Sequence, residues 1–243
     1  MSCSNQLPRL AFARLAVLCF AAAFAAPYVA QGQVLSAGTE YTCAIDAGGG
    51  VRCGGDNAHG QLGDGSYQSQ TVPVPVSGLR SGVIAVAASY YRSCALRADG
   101  EVLCWGSNER GFLGDGTVVD RTVPTRVLGL GPGSGVVSIT LNMDHACVLK
   151  NDGAVLCWGR NDFGMLGTGS ASNVVGTPTQ VVAFGAGSGV IGIAAGFSHT
   201  CAVKTDRSLY CWGDNSQGQL GDGTQTLRST PTQVSTLGVG SGV

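Results

Sequence analysis

The chain writes one cysteine pair four times. Cys43/Cys53, Cys94/Cys104, Cys147/Cys157 and Cys201/Cys211 are each ten positions apart, and successive copies are offset by 51, 53 and 54 residues. Other elements keep step with the pair. "GQLGDG" (60–65) returns as "GFLGDG" (111–116), "GMLGTG" (164–169) and "GQLGDG" (218–223). A proline follows each time, at Pro73, Pro124, Pro178 and Pro231, with a valine three positions later. Each unit then closes on "RSGV" or "GSGV". A period near fifty residues means that one supersecondary unit is stacked on copies of itself, because a single unit cannot bury its own apolar face.

Each unit carries four strand-like runs separated by turn signals, and no helical periodicity is evident after residue 30. Strand A is apolar and rich in Gly and Ala ("VIAVAAS", 83–89). Strand B holds the first cysteine ("SCALR"), strand C the second ("EVLCWG"), and strand D the proline ("TVPTRV"). Four short antiparallel strands per unit describe a propeller blade. Proline cannot donate to a sheet ladder, so strand D belongs at the blade's outer edge and strand A at the crowded centre. The expected fold is all-β: a β-propeller of four-stranded antiparallel blades, with repeats at about 34–82, 83–135, 136–189 and 190–242.

The spacing also predicts what the cysteines do. "ALRADGEVL" between Cys94 and Cys104 places Asp-Gly at its middle. A three-residue hairpin loop ending in a left-handed Gly sets Arg97 opposite Glu101. Counting back sets Cys94 opposite Cys104, at a non-hydrogen-bonded pair where strands approach closely enough for a cross-strand disulfide. The same count applies to all four copies. Zinc would want close ligand pairs such as C-x-x-C, which are absent. Reactive thiols want an electropositive setting, and buried free thiols are the remaining rival.

A disulfide framework needs an oxidising compartment, and the first thirty residues read as a secretory signal. Arg9 and Arg14 precede the apolar "LAVLCFAAAFAA" (15–26), which is too short to span a bilayer and is followed by small residues. Cys3 and Cys19 fall inside it, and no other segment reads as a membrane span. Charged residues are only 12% of the chain and hydrophobic ones 44%, which argues against disorder. The formal charge is −1; without Arg9 and Arg14 it becomes −3, twelve basic against fifteen acidic residues. No Lys/Arg run exists, so a nucleic-acid partner is not expected.

"HTCAVKTDRSLYCWGDNSQGQLGDGT…TPTQV" closely resembles the regulator of chromosome condensation repeat, and the resemblance covers about 34–240. It implies a propeller that usually has seven blades. The paired cysteines look like those of secreted bacterial members. Three departures stand out. Gly54 replaces the tryptophan found at Trp105, Trp158 and Trp212. Thr168 replaces the aspartate found at Asp64, Asp115 and Asp222. Only four repeats are present, so the chain reads as a fragment of a longer frame, with self-association as the other route to closure.

Fold alone does not give function. In an up-down-up-down blade, the A–B and C–D connections emerge on one rim and the B–C and D–A connections on the other. The second rim is repetitive. The first holds "SYYR" (89–92) and long loops such as "SNERGFLGDGTVVDR" (107–121). Aromatics and arginines favour interfaces, so Tyr67, Tyr90, Tyr91, Arg92, Arg110 and Phe112 are the expected partner-binding residues. The expected function is a secreted, non-enzymatic scaffold that binds another extracellular protein, as an inhibitor or a docking surface. Alternatives are a structural module of a larger surface protein and a propeller enzyme acting on polysaccharide. Strand A segments carry no charged residue, which disfavours a catalytic centre at the axis. No catalytic, cofactor or metal residue is expected. His145 and His199 recur at one register and read as blade structure, and the tryptophans as packing. The aspartates read as turn stabilisers rather than as calcium ligands, since one Asp between glycines falls short of the oxygens calcium takes. "GSGVIG" (187–192) precedes a strand rather than a helix, so it lacks the phosphate-binding context.

Overall fold

Turn chemistry cuts each repeat into four pieces, and consecutive pieces pair as antiparallel neighbours. The computed structural model describes residues 34–171 and 174–242. The secretory signal expected over 1–30 lies outside them. The first blade contains β1 (Leu35–Ala37), β2 (Tyr41–Ile45), β3 (Val51–Gly55) and β4 (Gln70–Pro75). The second contains β5 (Val83–Ser89), β6 (Arg92–Arg97), β7 (Val102–Gly106) and β8 (Arg121–Arg126). The third contains β9 (Val136–Leu141), β10 (His145–Lys150), β11 (Val155–Arg160) and β12 (Val174–Gln180). The fourth contains β13 (Val190–Ala195), β14 (His199–Lys204), β15 (Leu209–Gly213) and β16 (Arg228–Gln233). Each blade is one antiparallel sheet in chain order. The innermost strands β1, β5, β9 and β13 pack side by side. Side chains reinforce this axis: Ala88 N donates to Ser36 Oγ (2.9 Å) and Ala195 N to Thr140 Oγ1 (3.2 Å). The proline strands lie at the opposite edge, half-exposed or exposed along their length.

The hairpin count holds. Arg97 N donates to Glu101 O (2.9 Å), Gly100 is left-handed (φ 87°), and Cys94 lies opposite Cys104. All four expected bridges form: Cys43–Cys53, Cys94–Cys104, Cys147–Cys157 and Cys201–Cys211, each with Cα atoms 4.1 Å apart, as a non-hydrogen-bonded antiparallel pair requires. Cys53, Cys104 and Cys157 are completely buried, as are their partners Cys43, Cys94 and Cys147. These sulfurs are therefore internal staples that pack in the core, and not an accessible site like the rim residues. In the fourth copy no glycine is available at the tip, and Arg207 takes the left-handed conformation (φ 68°) instead.

Two residues past each second cysteine, the pairing with strand D slips by a bulge. The residue there is always glycine. At Gly106 (φ 101°), a Cβ would lie 2.3 Å from the Tyr91 carbonyl oxygen, so no side chain fits. Strand alternation sets the residue before this glycine, Trp105, Trp158 or Trp212, on the face opposite the bridge, toward the preceding blade.

The core therefore sits between blades. Leu96, Val102, Leu113, Val127 and the Cys94–Cys104 bridge of the second blade pack with Ala146, Val148 and Trp158 of the third. The first–second junction repeats the pattern around Trp105. In the third–fourth junction the Cys147–Cys157 bridge, Val155 and Leu166 pack with Ala202 and Trp212. Each indole is fully buried and donates Nε1–H to a carbonyl of the preceding blade: Trp105 to Gln61, Trp158 to Phe112 and Trp212 to Met165, all 2.9 Å. The "LG" glycine of the preceding blade makes room. A Cβ on Gly114 would stand 2.8 Å from Trp158 Nε1.

Candidate partner-binding rim

The long C–D loops carry most of one rim, and each is held by a buried asparagine four residues after the second cysteine. Asn108 Nδ2 donates to Asp115 Oδ1 (3.1 Å), Thr117 O (3.2 Å) and Val119 O (3.1 Å), while its Oδ1 accepts from Leu113 N (2.9 Å). Asn57 and Asn215 do the same in their loops. The aspartate is the second anchor. Asp115 accepts from Thr117 N and Oγ1 and from Arg121 Nε (2.9 Å). Burial works against its charge, yet these hydrogen bonds win and hold the carboxyl below its ordinary range. Asp222 is lowered further, chiefly by Thr224 and Arg228. In the third loop Thr168 Oγ1 lies 3.4 Å from Ser170 Oγ, its hydrogen-bond contact among the described residues. Val175 there pairs with the bulge glycine Gly159, where Arg121 and Arg228 pair with Gly106 and Gly213. The anchoring asparagines recur in the sequence, but their role is invisible there, because only the folded loop shows what they bridge.

The first residue of strand B ties each of the first three blades to the next. Tyr41 Oη donates to the Arg92 carbonyl, while Ser93 Oγ donates to Gln61 O (3.0 Å). His145 Nδ1 lies 3.0 Å from Asn142 Nδ2, and its Nε2 lies 2.7 Å from Thr200 Oγ1, which donates to Met165 O (2.8 Å). This seats a neutral imidazole, Nδ1 accepting and Nε2 donating. Burial, with Arg92 and His199 nearby, pushes the His145 pKa down to about 3. The register reading of His145 as blade structure thus acquires a mechanism.

The expected binding residues divide. Tyr67 is 55% exposed, Tyr90 is 40% exposed and Arg110 is exposed. Tyr90 and Tyr91 rings lie 4.0 Å apart, and Tyr91 stacks on His59 of the preceding blade's loop at 4.4 Å. His59 in turn approaches Asp120 (4.0 Å). The expectation of an open surface is corrected for Arg92 and Phe112, which are 2% and 7% exposed. Arg92 points across the blade junction, its guanidinium 3.8 Å above the Phe112 ring and Nη2 3.5 Å from Asn142 O. Burial pulls its pKa down to about 10. An arginine and a phenylalanine look alike on a rim and in a junction, so sequence could not separate the two. His59 escapes a sequence reading because its partner lies in another repeat.

The opposite rim consists of hairpin tips and linkers, and it is nearly uniform. Ser134 Oγ donates to Gly100 O, Ser188 Oγ to Gly153 O and Ser241 Oγ to Arg207 O. Among the described residues no cluster of His, Cys, Asp or Glu could hold a metal ion, and no helix is long and apolar enough to cross a membrane.

Comparison with known proteins agrees with this architecture. The profile of the regulator of chromosome condensation (RCC1) repeat matches residues 49–96, 99–149, 152–203 and 206–241. The human E3 ubiquitin-protein ligase HERC2 is 34% identical over 206 residues, 84% of this chain and 4% of that protein. The Arabidopsis thaliana ultraviolet-B receptor UVR8 is 32% identical over 207 residues, 84% of this chain and 46% of that protein. Among solved structures, human WBSCR16 superposes with a TM-score of 0.71 at 27% identity, covering 84% of this chain and 53% of its own. Yeast RCC1 (Prp20), in its complex with Kap60, gives 0.69 at 25%, covering 82% and 48%. The chain thus spans half or less of these relatives, or barely more.

Proposed function

The chain belongs to the RCC1 repeat family, and from that premise we propose that it is an extracellular, non-enzymatic scaffold that binds another protein along its irregular rim. RCC1-like propellers typically serve as protein-binding or regulatory scaffolds, and the yeast relative is seen bound to Kap60. The observation that carries the reading is the partly exposed aromatic seam between the first two blades. Tyr90, Tyr91 and His59 stack there, with Tyr67 and Arg110 exposed on the same rim. Side chains with few rotatable bonds, already ordered by mutual stacking, lose little entropy on docking. Four disulfide bridges support an extracellular setting.

The test is capture of extracellular protein by the disulfide-intact chain, compared with Tyr90→Ala/Tyr91→Ala and with an opposite-rim control, Asn151→Ala. A specific partner lost with the tyrosine pair and kept with the control is the expected result. A partner equally retained by all three sinks the rim assignment.

A further inference from the structure

The charge of the molecule is divided between its two rims. Assigned by the loop or strand end that carries each residue, the irregular rim holds ten carboxylates against five arginines, and the hairpin-tip rim five carboxylates against seven basic residues. One rim is therefore −5 and the other +2. On the irregular rim Arg121, Arg160 and Arg228 are paired within their own loops with Asp115, Asp162 and Asp222, and Arg92 is buried. Most of that rim's positive charge is thus already neutralised or withdrawn.

Three of the free carboxylates gather at the aromatic seam. Asp56 N donates to Glu40 O (2.9 Å), which brings these two acids together. Asp56 is fixed by Gln61 Nε2 (2.6 Å) and Ser69 Oγ (3.2 Å), and Asp120 by Asn108 N (2.7 Å). Asp120 faces His59, which stacks on Tyr91. Glu40 and Asp56 act on the same ring: the Tyr91 phenol is held above its ordinary pKa, by Tyr90 first and by these two charges as well. Tyr90 completes the group. Its backbone is left-handed (φ 50°), a conformation uncommon for a bulky residue, and its carbonyl accepts from Thr39 N of the first blade (3.4 Å). Elsewhere on this rim the chain shows what rings and carboxylates hold. Arg92 lies 3.8 Å over the Phe112 ring; burial disfavours its charge, and the charges of Asp144 and Glu109 oppose that. Phe163 takes Arg160 at 5.9 Å, with Asp162 as its carboxylate. The seam has the rings and the carboxylates without the cation. Among the described residues no Lys or Arg lies over Tyr90 or Tyr91, and none pairs with Glu40, Asp56 or Asp120.

We infer that the seam is a seat for a lysine or arginine side chain, presented by a basic segment of the protein partner. The cation rests on the exposed Tyr90 ring, where the quadrupole attracts it, with Glu40, Asp56 and Asp120 around it as charged acceptors. Two of these acceptors are already held in place by hydrogen bonds, so little order is lost on docking. The net negative charge of the rim steers a basic segment toward the seat and repels an acidic one. The inference deepens the rim reading, on which it rests, by naming the chemistry of the partner.

The probe is a fluorescein-labelled peptide of alternating arginine and glycine, titrated into the disulfide-intact chain and followed by anisotropy, with a glutamate–glycine peptide of equal length beside it. The arginine peptide binds, more weakly as salt is raised, and the glutamate peptide does not. Glu40→Gln/Asp56→Asn/Asp120→Asn keeps oxygen acceptors for the loops and should weaken binding about tenfold. Glu109→Gln/Asp162→Asn/Asp214→Asn removes the same charge from elsewhere on the rim and should weaken it only about twofold. Tyr90→Leu/Tyr91→Leu keeps apolar bulk without the ring faces and should cost about fivefold. Glu40→Gln alone, at an exposed side chain, is the variant least able to disturb the fold and should cost about threefold. Equal losses in the two triple variants overturn the seat and leave a diffuse field over the rim. A loss in the first triple with none in the leucine pair overturns the ring contact. Failure of the arginine peptide to bind, or equal binding of the glutamate peptide, overturns a basic partner. The rim reading stands or falls separately, on capture by Tyr90→Ala/Tyr91→Ala against Asn151→Ala.

Discussion

The first and second blades share one hairpin and one disulfide geometry, yet among the described residues only the second packs against a blade before it. Cys43–Cys53 and Cys94–Cys104 have the same Cα separation and the same register. Gly55 and Gly106 make the same bulge. What differs is the residue just before the bulge glycine: Trp105, fully buried in the first blade's loop, against Gly54, half-buried beside Pro73. The contrast separates two kinds of stabilisation. Hairpin and bridge belong to one repeat and form wherever its sequence is written. The indole stabilises a junction, so its value depends on a neighbour.

The most severe way to break the comparison is Trp158→Ala. It empties a fully buried site and orphans the Phe112 carbonyl, so a loss of about 3–5 kcal/mol is expected in denaturant unfolding. Gly54→Ala, at the same register in the first blade, should shift stability by no more than about 0.5 kcal/mol. A similar cost at both positions would mean that the tryptophan acts within its own blade.

Removing a bridge should be less selective. Cys94→Ala/Cys104→Ala and Cys43→Ala/Cys53→Ala should each cost about 2–3 kcal/mol, since each loop is equally short and the constraint is local. Unfolding of the two variants side by side checks it; a large difference would show that bridges, too, act through the neighbouring blade.

The smallest effect sharpens the comparison at the start of strand B. His145 is buried with a pKa near 3, against an ordinary 6.5. The unfolded chain therefore binds a proton that the folded chain refuses. This contribution is complete above about pH 6.5 and is lost as pH falls toward 3, with a slope of up to about 1.4 kcal/mol per pH unit. The first blade carries Tyr41 at this register, whose pKa burial raises, so it adds nothing in that window. His145→Gln should flatten the difference in unfolding midpoint between pH 6.5 and 4. An unchanged slope would place the acid sensitivity elsewhere, with the lowered Asp115 and Asp222 next in line at the acid end.

How much could be read in advance follows the same division. The proline edge, the Gly/Ala axis and the cysteine register, from Cys43–Cys53 through Cys147–Cys157 to Cys201–Cys211, were legible because each is set within a few residues. The determinants are a missing N–H, a left-handed tip and a count along two strands. The Asp115-type turn was legible as well, although not the Asn108 side chain that spans it. Burial divides the rim set. Tyr90, Tyr91, Tyr67 and Arg110 carry exposed or half-exposed side chains, while Arg92 and Phe112 stack on each other inside a junction. Nothing in "SYYR" distinguishes its last residue from its second.

By itself, the sequence determined the blade: its strand order, its hairpin register and its four sulfur bridges, all fixed by steric and hydrogen-bonding rules acting over ten or so residues. Only the tertiary structure decided which side of each blade is core and which side chain is surface. That choice depends on contacts between residues about fifty positions apart, such as Trp158 with Phe112 and His145 with Thr200. A blade face is buried or bare according to the neighbour that stands against it.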